Sequence, residues 1–207
     1  MKNKWNERYK GDTFFYGKDP NDFLKEISSQ LAPKSRILCL AEGEGRNAVF
    51  LSNLGHLVTA VDQSETGLLK LKQLATLNKT EVSTIVADLE NFQIEENKWD
   101  AIVSIWCHLP SILRKKVHRD CVKGLAPNGL LILEAYNPQQ LEFKTGGPDN
   151  TDLLMTKESL IEELAGLKFI TIEEKIRIIH EGQGHNGMSA VIEVFAKKIN
   201  KSKKDIL

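Results

Sequence analysis

The apolar run Ile37-Leu38-Cys39-Leu40 passes directly into Ala41-Glu42-Gly43-Glu44-Gly45, and an apolar helical pattern over residues 47–54 follows. A second apolar run, residues 57–61, ends at Asp62. A strand, a glycine-punctuated turn, a helix and a strand closed by a carboxylate commit the chain early to an α/β sheet. In such sheets this arrangement holds the adenosine part of a cofactor. The turn alone does not say which cofactor.

The remaining chain continues the alternation. Asn21 can cap a helix reaching about Leu31, and Gly55 suits the end of the helix over 47–54. Ser64 can cap a helix whose Leu68, Leu69, Leu71, Leu74 and Leu77 are expected on one buried face. Residues 82–86 and 101–105 are β-branched apolar runs, expected as parallel strands covered on both faces. A helix follows Pro110, Pro127-Asn128-Gly129 is a turn, and residues 130–133 form a fifth strand. Residues 136–155 read as long and irregular, and Thr156 can cap a helix ending near Gly166. Residues 169–179 and 188–195 alternate apolar with polar side chains. Joined by Glu181-Gly182-Gln183-Gly184-His185-Asn186-Gly187, they predict an antiparallel hairpin. One domain over residues 1–198 is expected, with residues 1–19 (Trp5, Tyr9, Phe14, Phe15, Tyr16) as an aromatic cover and residues 199–207 as a basic, frayed tail.

Bulk properties narrow the function classes. The 207 residues suffice for one α/β domain. Twenty-eight basic residues balance 28 acidic ones, so a globally basic surface for nucleic acid is absent. No apolar run has the length of a membrane span, and the N-terminus lacks the apolar core of a signal peptide. Cys39, Cys107 and Cys121 are odd in number and widely spaced, which argues against a disulfide scaffold or a metal site. A soluble cytoplasmic chain is expected, and the Asn78-Lys79-Thr80 sequon is taken as chance.

Three positions carry the chemistry. Gly43 and Gly45 suit a backbone of positive φ or a closely approaching ligand. The free N–H groups of the following helix would receive a pyrophosphate or a carboxylate; a purely structural turn is the alternative. Asp62, at the end of its strand, can accept hydrogen bonds from both ribose hydroxyls. Helix capping is its other use, although Ser64 already offers that. Asp88, just past the next strand, can accept from an adenine amino group, or simply close a turn.

Five pieces in register resemble the class I S-adenosylmethionine-dependent methyltransferases. They are Ala41-Glu42-Gly43-Glu44-Gly45, Asp62, Ala87-Asp88-Leu89, Trp99-Asp100, and Leu125-Ala126-Pro127-Asn128-Gly129. Gly43-Glu44-Gly45-Arg46-Asn47, Leu51-Ser52-Asn53-Leu54-Gly55, Trp5-Asn6-Glu7-Arg8-Tyr9 and Tyr16-Gly17 look most like the tellurite-resistance and thiopurine branch. The resemblance implies a doubly wound, Rossmann-like seven-stranded sheet, mostly parallel, in three α/β/α layers. It also implies S-adenosyl-L-methionine as methyl donor, with S-adenosyl-L-homocysteine as product. The cofactor residues it implies are Tyr16, Ala41, Glu42, Gly43, Gly45, Asn47, Asp62, Gln63, Asp88, Leu89 and Ile105. Two positions depart from the family pattern: Cys39 stands where an acidic residue is usual, and Ala41 where glycine is. Glu42 is the candidate to replace that carboxylate.

Methyl transfer from a sulfonium is an in-line displacement, so alignment and exclusion of water matter most. A base helps only when the nucleophile arrives protonated. His108 is the first choice for base or substrate contact. His185 is the second, and His180 lies close by; for the two hairpin histidines an exposed, inert position is the competing reading. Cys107 is not expected to act as a nucleophile. Residues 136–155, with Lys144-Thr145-Gly146-Gly147-Pro148, are expected to wall the pocket. Arg114-Lys115-Lys116-Val117-His118-Arg119 reads as a solvated face. The expected partner is a small-molecule methyl acceptor, with no nucleic acid, membrane or metal. The rivals are a nicotinamide-dependent oxidoreductase, disfavoured because Glu42 and Glu44 would crowd a pyrophosphate, and a non-catalytic cofactor-binding module.

Overall fold

The structure, a computed structural model, describes residues 2–199. The basic tail expected over 199–207 lies, beyond Ile199, outside the described residues. In chain order the elements are α1 (Lys2–Arg8), α2 (Asp22–Ile27), β1 (Arg36–Leu40), α3 (Arg46–Asn53), β2 (Leu57–Asp62), α4 (Glu65–Leu77) and β3 (Ser83–Val86). Then come β4 (Trp99–Ile105), α5 (Ser111–Gly124), β5 (Leu125–Tyr136), α6 (Gln140–Phe143), α7 (Lys157–Glu163), β6 (Leu167–Glu181) and β7 (His185–Lys198). The sheet order is β3-β2-β1-β4-β5-β7-β6. β1 to β5 pair in parallel, whereas β7 pairs antiparallel with both β5 and β6. The expected seven-stranded sheet with its closing hairpin is therefore present.

Strand alternation divides the core into two layers. Leu38 and Leu40 of β1 pack with Val117, Cys121, Leu160 and Leu164 from α5, α7 and the turn after α7. Ile37 and Cys39 pack on the other side with Leu24, Ala48, Leu51, Leu68 and Leu71 from α2, α3 and α4. The cap signals are realised: Asn21 accepts from Leu24 N, Ser64 from Gly67 N, and Thr156 forms a reciprocal capping box with Ser159.

Several expectations need correction. Leu69 and Leu77 are exposed, while Leu68, Leu71 and Leu74 are buried. Nine residues of helix is two and a half turns, which puts Leu77 opposite Leu68. β3 is a sheet edge and is not covered on both faces, so Ile85 and Val86 remain exposed. β7 does not alternate: it lies between β5 and β6, and Ser189 to Ala196 are buried without a break. Residues 136–155 are partly ordered, with α6 and a 3₁₀ turn at Thr151–Leu153.

The basic run on α5 is not simply a solvated face. Lys115 and Lys116 are exposed, but Arg114 and His118 are buried. The Arg114 guanidinium grips Glu163 of α7, with Nη2 3.0 Å and Nε 3.1 Å from its carboxylate oxygens. His118 Nδ1 lies 2.7 Å from the same carboxylate. Burial alone would raise the Glu163 pKa, but His118 and Arg114 hold it below the ordinary value.

Candidate active site

Between β1 and β4 the chain reverses its direction of travel across the sheet, and the carboxyl ends of these strands form the switch point where α/β sheets bind ligands. Ala41 leaves β1 with φ +50°, a left-handed conformation that explains why glycine is usual there. Gly45 has φ +90°, and a Cβ added to it would lie 2.2 Å from Leu71 Cγ. The turn is thus shaped by contact with α4 as well as by φ.

Gly45, the N-cap of α3, has no side chain to satisfy the helix's free N–H groups. Glu42 reaches round the turn instead, and its Oε1 accepts from Ala48 N at 2.8 Å. The protein's own carboxylate therefore fills the position where a dinucleotide places its pyrophosphate. Burial pushes the Glu42 pKa up to about 7, against the lowering effect of the Ala48 N–H and Arg46. Cys39 is fully buried in the apolar layer, and burial, aided by the nearby Glu42 charge, holds its thiol well above the ordinary value. The carboxylate absent at position 39 thus arrives beside it from position 42.

Asp62 ends β2 with both oxygens in use. Oδ2 accepts from Gly43 N at 2.8 Å and Oδ1 from Ser64 N at 2.7 Å. Burial raises its pKa despite these bonds. An ionised carboxylate has about four acceptor positions, so two remain for a ligand. Asp88 is exposed at the rim of β3 and closes a turn through Glu90 N.

These groups line one cavity of about 490 Å³. Asp62, Gln63, Asp88 and Leu89 bound one end; Ala41, Glu42, Gly45 and Asn47 form its floor with Ile105. Trp106, His108, Gly146, Gly147, Pro148 and His185 bound the other end, so part of the 136–155 segment is a wall. Of the cofactor residues named from sequence, Gly43 alone does not line this cavity; its N–H is held by Asp62 instead. The Asn47 side-chain carbonyl is engaged by Asn21 N. Gln63 Oε1 is buried without a hydrogen-bond partner among the described residues, although the residue borders the Asp62 end of the cavity.

The N-terminal segment covers this cavity. Trp5, Arg8, Tyr9, Phe15 and Tyr16 line it. Glu44, which sequence reading set against a phosphate, points away from the loop and accepts from Phe15 N at 2.7 Å. Lys70 of α4 pairs with Glu44 and donates to the carbonyls of Gly11 and Thr13. Phe14 packs beneath, against Lys18 and Lys70.

At the far end the two candidate histidines separate. His108 Nε2 accepts from Tyr136 N at 3.0 Å, and its ring stacks on Tyr136 and Trp106. Burial, with the neighbouring His185, pushes its pKa down to about 3. A ring whose acceptor nitrogen is occupied cannot serve as a general base, so His108 is a support for the β4 and β5 ends. His185 is buried, not an exposed hairpin residue, and contacts the rings of Tyr16, Trp106 and Tyr136. Its Nδ1 lies 3.2 Å from Glu181 Oε2. His180 is exposed and pairs with Asn186.

Sequence reading passed over Glu181. Its carboxylate also accepts from Arg46 Nη2 and Trp106 Nε1, both at 2.6 Å, and from Asn21 Nδ2 at 2.9 Å. Burial would raise its pKa, but His185 and Arg46 hold it down at about 2. An acid at the end of an edge strand looks solvated in sequence; its four-residue spacing from His185 was the available signal.

Residues 37–129 match the family model described as a methyltransferase domain. Over 77 residues the chain is 32% identical to the probable S-adenosyl-L-methionine-dependent methyltransferase TehB of Haemophilus influenzae. That match spans 37% of this chain and 27% of the relative's length. The structure of TehB from Haemophilus influenzae superposes with a TM-score of 0.71 at 18% identity, covering 95% of this chain and 66% of that one. A structure described for the conversion of a disulfide bond into a thioacetal group during echinomycin biosynthesis gives 0.77 at 16% identity, covering 99% and 94%. The N-methyltransferase NodS of Bradyrhizobium japonicum, solved with S-adenosyl-L-homocysteine, gives 0.68 at 16% identity, covering 95% and 97%. With the loop, the strand-end carboxylates and the sheet order already described, these likenesses support a class I S-adenosylmethionine-dependent methyltransferase related to TehB.

Proposed function

We propose that this chain transfers a methyl group from S-adenosyl-L-methionine to a small-molecule nucleophile by in-line displacement. One observation carries the choice of cofactor: Glu42 fills the N-terminal end of α3. A pyrophosphate would meet a carboxylate there, whereas a zwitterionic amino-acid tail brings an ammonium group that a carboxylate favours. The nicotinamide reading loses its phosphate site on this geometry.

The residues fit the donor along the rim. Asp62 takes the ribose hydroxyls on its remaining acceptor positions, and Asp88 takes the adenine amino group. Gln63 borders the nucleoside end beside Asp62, and Leu89 and Ile105 flank the base with apolar surface. Ala41, Glu42, Gly45 and Asn47 shape the floor under the methionine tail, with Glu42 toward the ammonium, and Gly43 holds Asp62 in place through its N–H. Tyr16 and the rest of the N-terminal cover exclude water. When bound, the cofactor supplies an electrophilic methyl group on a sulfonium. The acceptor occupies the end bounded by Trp106, His185 and residues 146–148, with His185 positioned to take a proton. His108 holds Tyr136 and Trp106 in place behind it.

The working unit is residues 1–198. No described helix is long and apolar enough to cross a membrane. Its three cysteines are buried and free, which fits action in the cytoplasm, and its balance of 28 basic and 28 acidic residues fits a small acceptor and not nucleic acid. Calorimetry with S-adenosyl-L-homocysteine and with a nicotinamide dinucleotide tests the reading. Binding of the dinucleotide and not of the homocysteine product would overturn it. Binding without methyl release to any acceptor would favour the non-catalytic rival.

A further inference from the structure

Glu181 is buried at the hairpin end of the cavity and accepts hydrogen bonds from Asn21, Arg46 and Trp106 as well as facing His185. We propose that Glu181 and His185 act together as a base dyad, so that the acceptor is one whose attacking atom carries a proton: a thiol, a phenol or an amine. This rests on the methyl-transfer reading above and narrows its substrate class.

The tautomer follows from the contacts. An ionised carboxylate only accepts, so the His185 nitrogen facing Glu181, Nδ1, must carry the ring proton. Nε2 then holds the lone pair. No described residue donates to Nε2, and the ring lines the cavity. Ring contacts with Tyr16, Trp106 and Tyr136 fix the imidazole plane. His108 shows the contrast: its Nε2 is already taken by the Tyr136 N–H.

The charged and titratable groups facing His185 come from every neighbouring element. Burial, the largest influence, disfavours the imidazolium; Glu181 of β6 favours it, Arg46 of α3 and Arg8 of α1 add to the burial, and the net effect lowers the His185 pKa. Tyr16 and His108 also face the ring. The ring is therefore neutral and able to accept a proton near pH 7. In the step, the acceptor's lone pair forms a bond to the methyl carbon. The carbon–sulfur bond breaks, with its electron pair staying on sulfur. The acceptor's proton passes to His185 Nε2 and then to solvent. An acceptor whose attacking atom has no proton, such as iodide or the selenium of selenite, gains nothing from this arrangement. Glu181 is a positioning residue, acting through His185.

The test uses the full chain with thiophenol, a phenol and an aniline against iodide and selenite, following S-adenosyl-L-homocysteine release from pH 5.5 to 9. Imidazole nitrogen spectra at pH 7 should show the Nδ1–H tautomer of His185. His185→Ala, confirmed folded by its melting curve, should lose roughly 10²–10⁴-fold in kcat on the protic acceptors. Added imidazole should restore part of that loss, which a purely structural role would not allow. Glu181→Gln should move the acid limb of the kcat profile to lower pH, because a negative charge that raises the His185 pKa is removed. An Nε2–H tautomer, a folded His185→Ala at full rate, or wild-type turnover confined to iodide and selenite would overturn the proposal while leaving methyl transfer standing. Failure of the chain to bind S-adenosyl-L-homocysteine would instead overturn methyl transfer itself, and the dyad with it.

Discussion

Glu42→Gln should make the protein more stable and a poorer binder of its cofactor. The Glu42 carboxyl is raised from 4.5 to about 7, chiefly by burial. A carboxyl whose folded pKa lies above its unfolded value contributes stability that is fully present below the unfolded pKa. That contribution is lost as pH rises through the folded one. Between pH 4 and pH 8 the wild type should therefore lose roughly 3 kcal/mol from this group, at about 1.4 kcal/mol for each pH unit separating the folded and unfolded values. Glutamine keeps the oxygen that accepts from Ala48 N and carries no charge to bury. The variant should match the wild type near pH 4 and exceed its melting temperature by roughly 6–12 °C near pH 8, taking about 2–4 °C per kcal/mol for a chain of this size.

Cofactor binding should move the other way. An ammonium group selects the ionised carboxylate, so wild-type affinity for S-adenosyl-L-homocysteine should rise as pH climbs through 7. Glu42→Gln should abolish that rise and bind roughly 10- to 150-fold more weakly at pH 8, the loss of one charge-assisted hydrogen bond. Differential scanning calorimetry across pH, paired with titration calorimetry, reads both effects. A melting difference that stays flat or turns negative with pH would refute the burial argument. A pH-independent affinity, equal in both proteins, would refute the ammonium contact.

Asp62→Ala removes the acceptor assigned to the ribose hydroxyls and should weaken S-adenosyl-L-homocysteine binding roughly 10- to 150-fold; unchanged affinity in a folded variant sinks the assignment. Gly45→Ala places a Cβ 2.2 Å from Leu71 Cγ at a φ of +90°. It should cost about 2–5 kcal/mol in denaturant unfolding from strain and overpacking. Gly11→Ala, with nothing within 4 Å, should cost almost nothing, and equal effects would discredit the loop geometry. Glu163→Ala leaves Arg114 and His118 buried without their carboxylate and should destabilise by about 3–5 kcal/mol, against a negligible effect for Glu162→Ala on the exposed neighbouring pair.

What could be read from the sequence was what the chain decides locally. The β1 run, its glycine turn, the Asn21, Ser64 and Thr156 caps and the closing hairpin each depend on neighbours within a few residues. What escaped depends on partners far along the chain. Arg114 and His118 sit in a basic run that looks solvated, and nothing local reveals that Glu163 waits on α7. β3 has the β-branched composition of a covered strand, yet its exposure follows from sheet order, which no local pattern encodes. The cavity residues were found because strand ends converge on one rim. The split between His108 and His185 was not, because it turns on whether one N–H, that of Tyr136, occupies a ring nitrogen. Glu181 was missed for a similar reason: its donors come from residues 21, 46, 106 and 185.

The acids around the cavity are not equivalent, and their partners decide what each contributes. Lys70 neutralises Glu44, and Arg46 neutralises Glu181. Glu42 and Asp62 are met by backbone N–H groups alone, and burial raises both pKa values. Arg46 is held by Glu181 and the Asp19 carbonyl, so it acts on Glu42 through its charge and not through an ion pair. Glu42 and Asp62 therefore have no ion-pair partner of their own among the described residues, although Arg8 and Arg46 line the same cavity. Such a site favours a ligand that arrives with a positive charge and repels one that arrives with phosphates. A sulfonium donor brings that charge and loses it when the methyl group departs. On the proposed site these two carboxylates would hold the neutral thioether less strongly than the charged donor, and the charge lost in the reaction would favour product release.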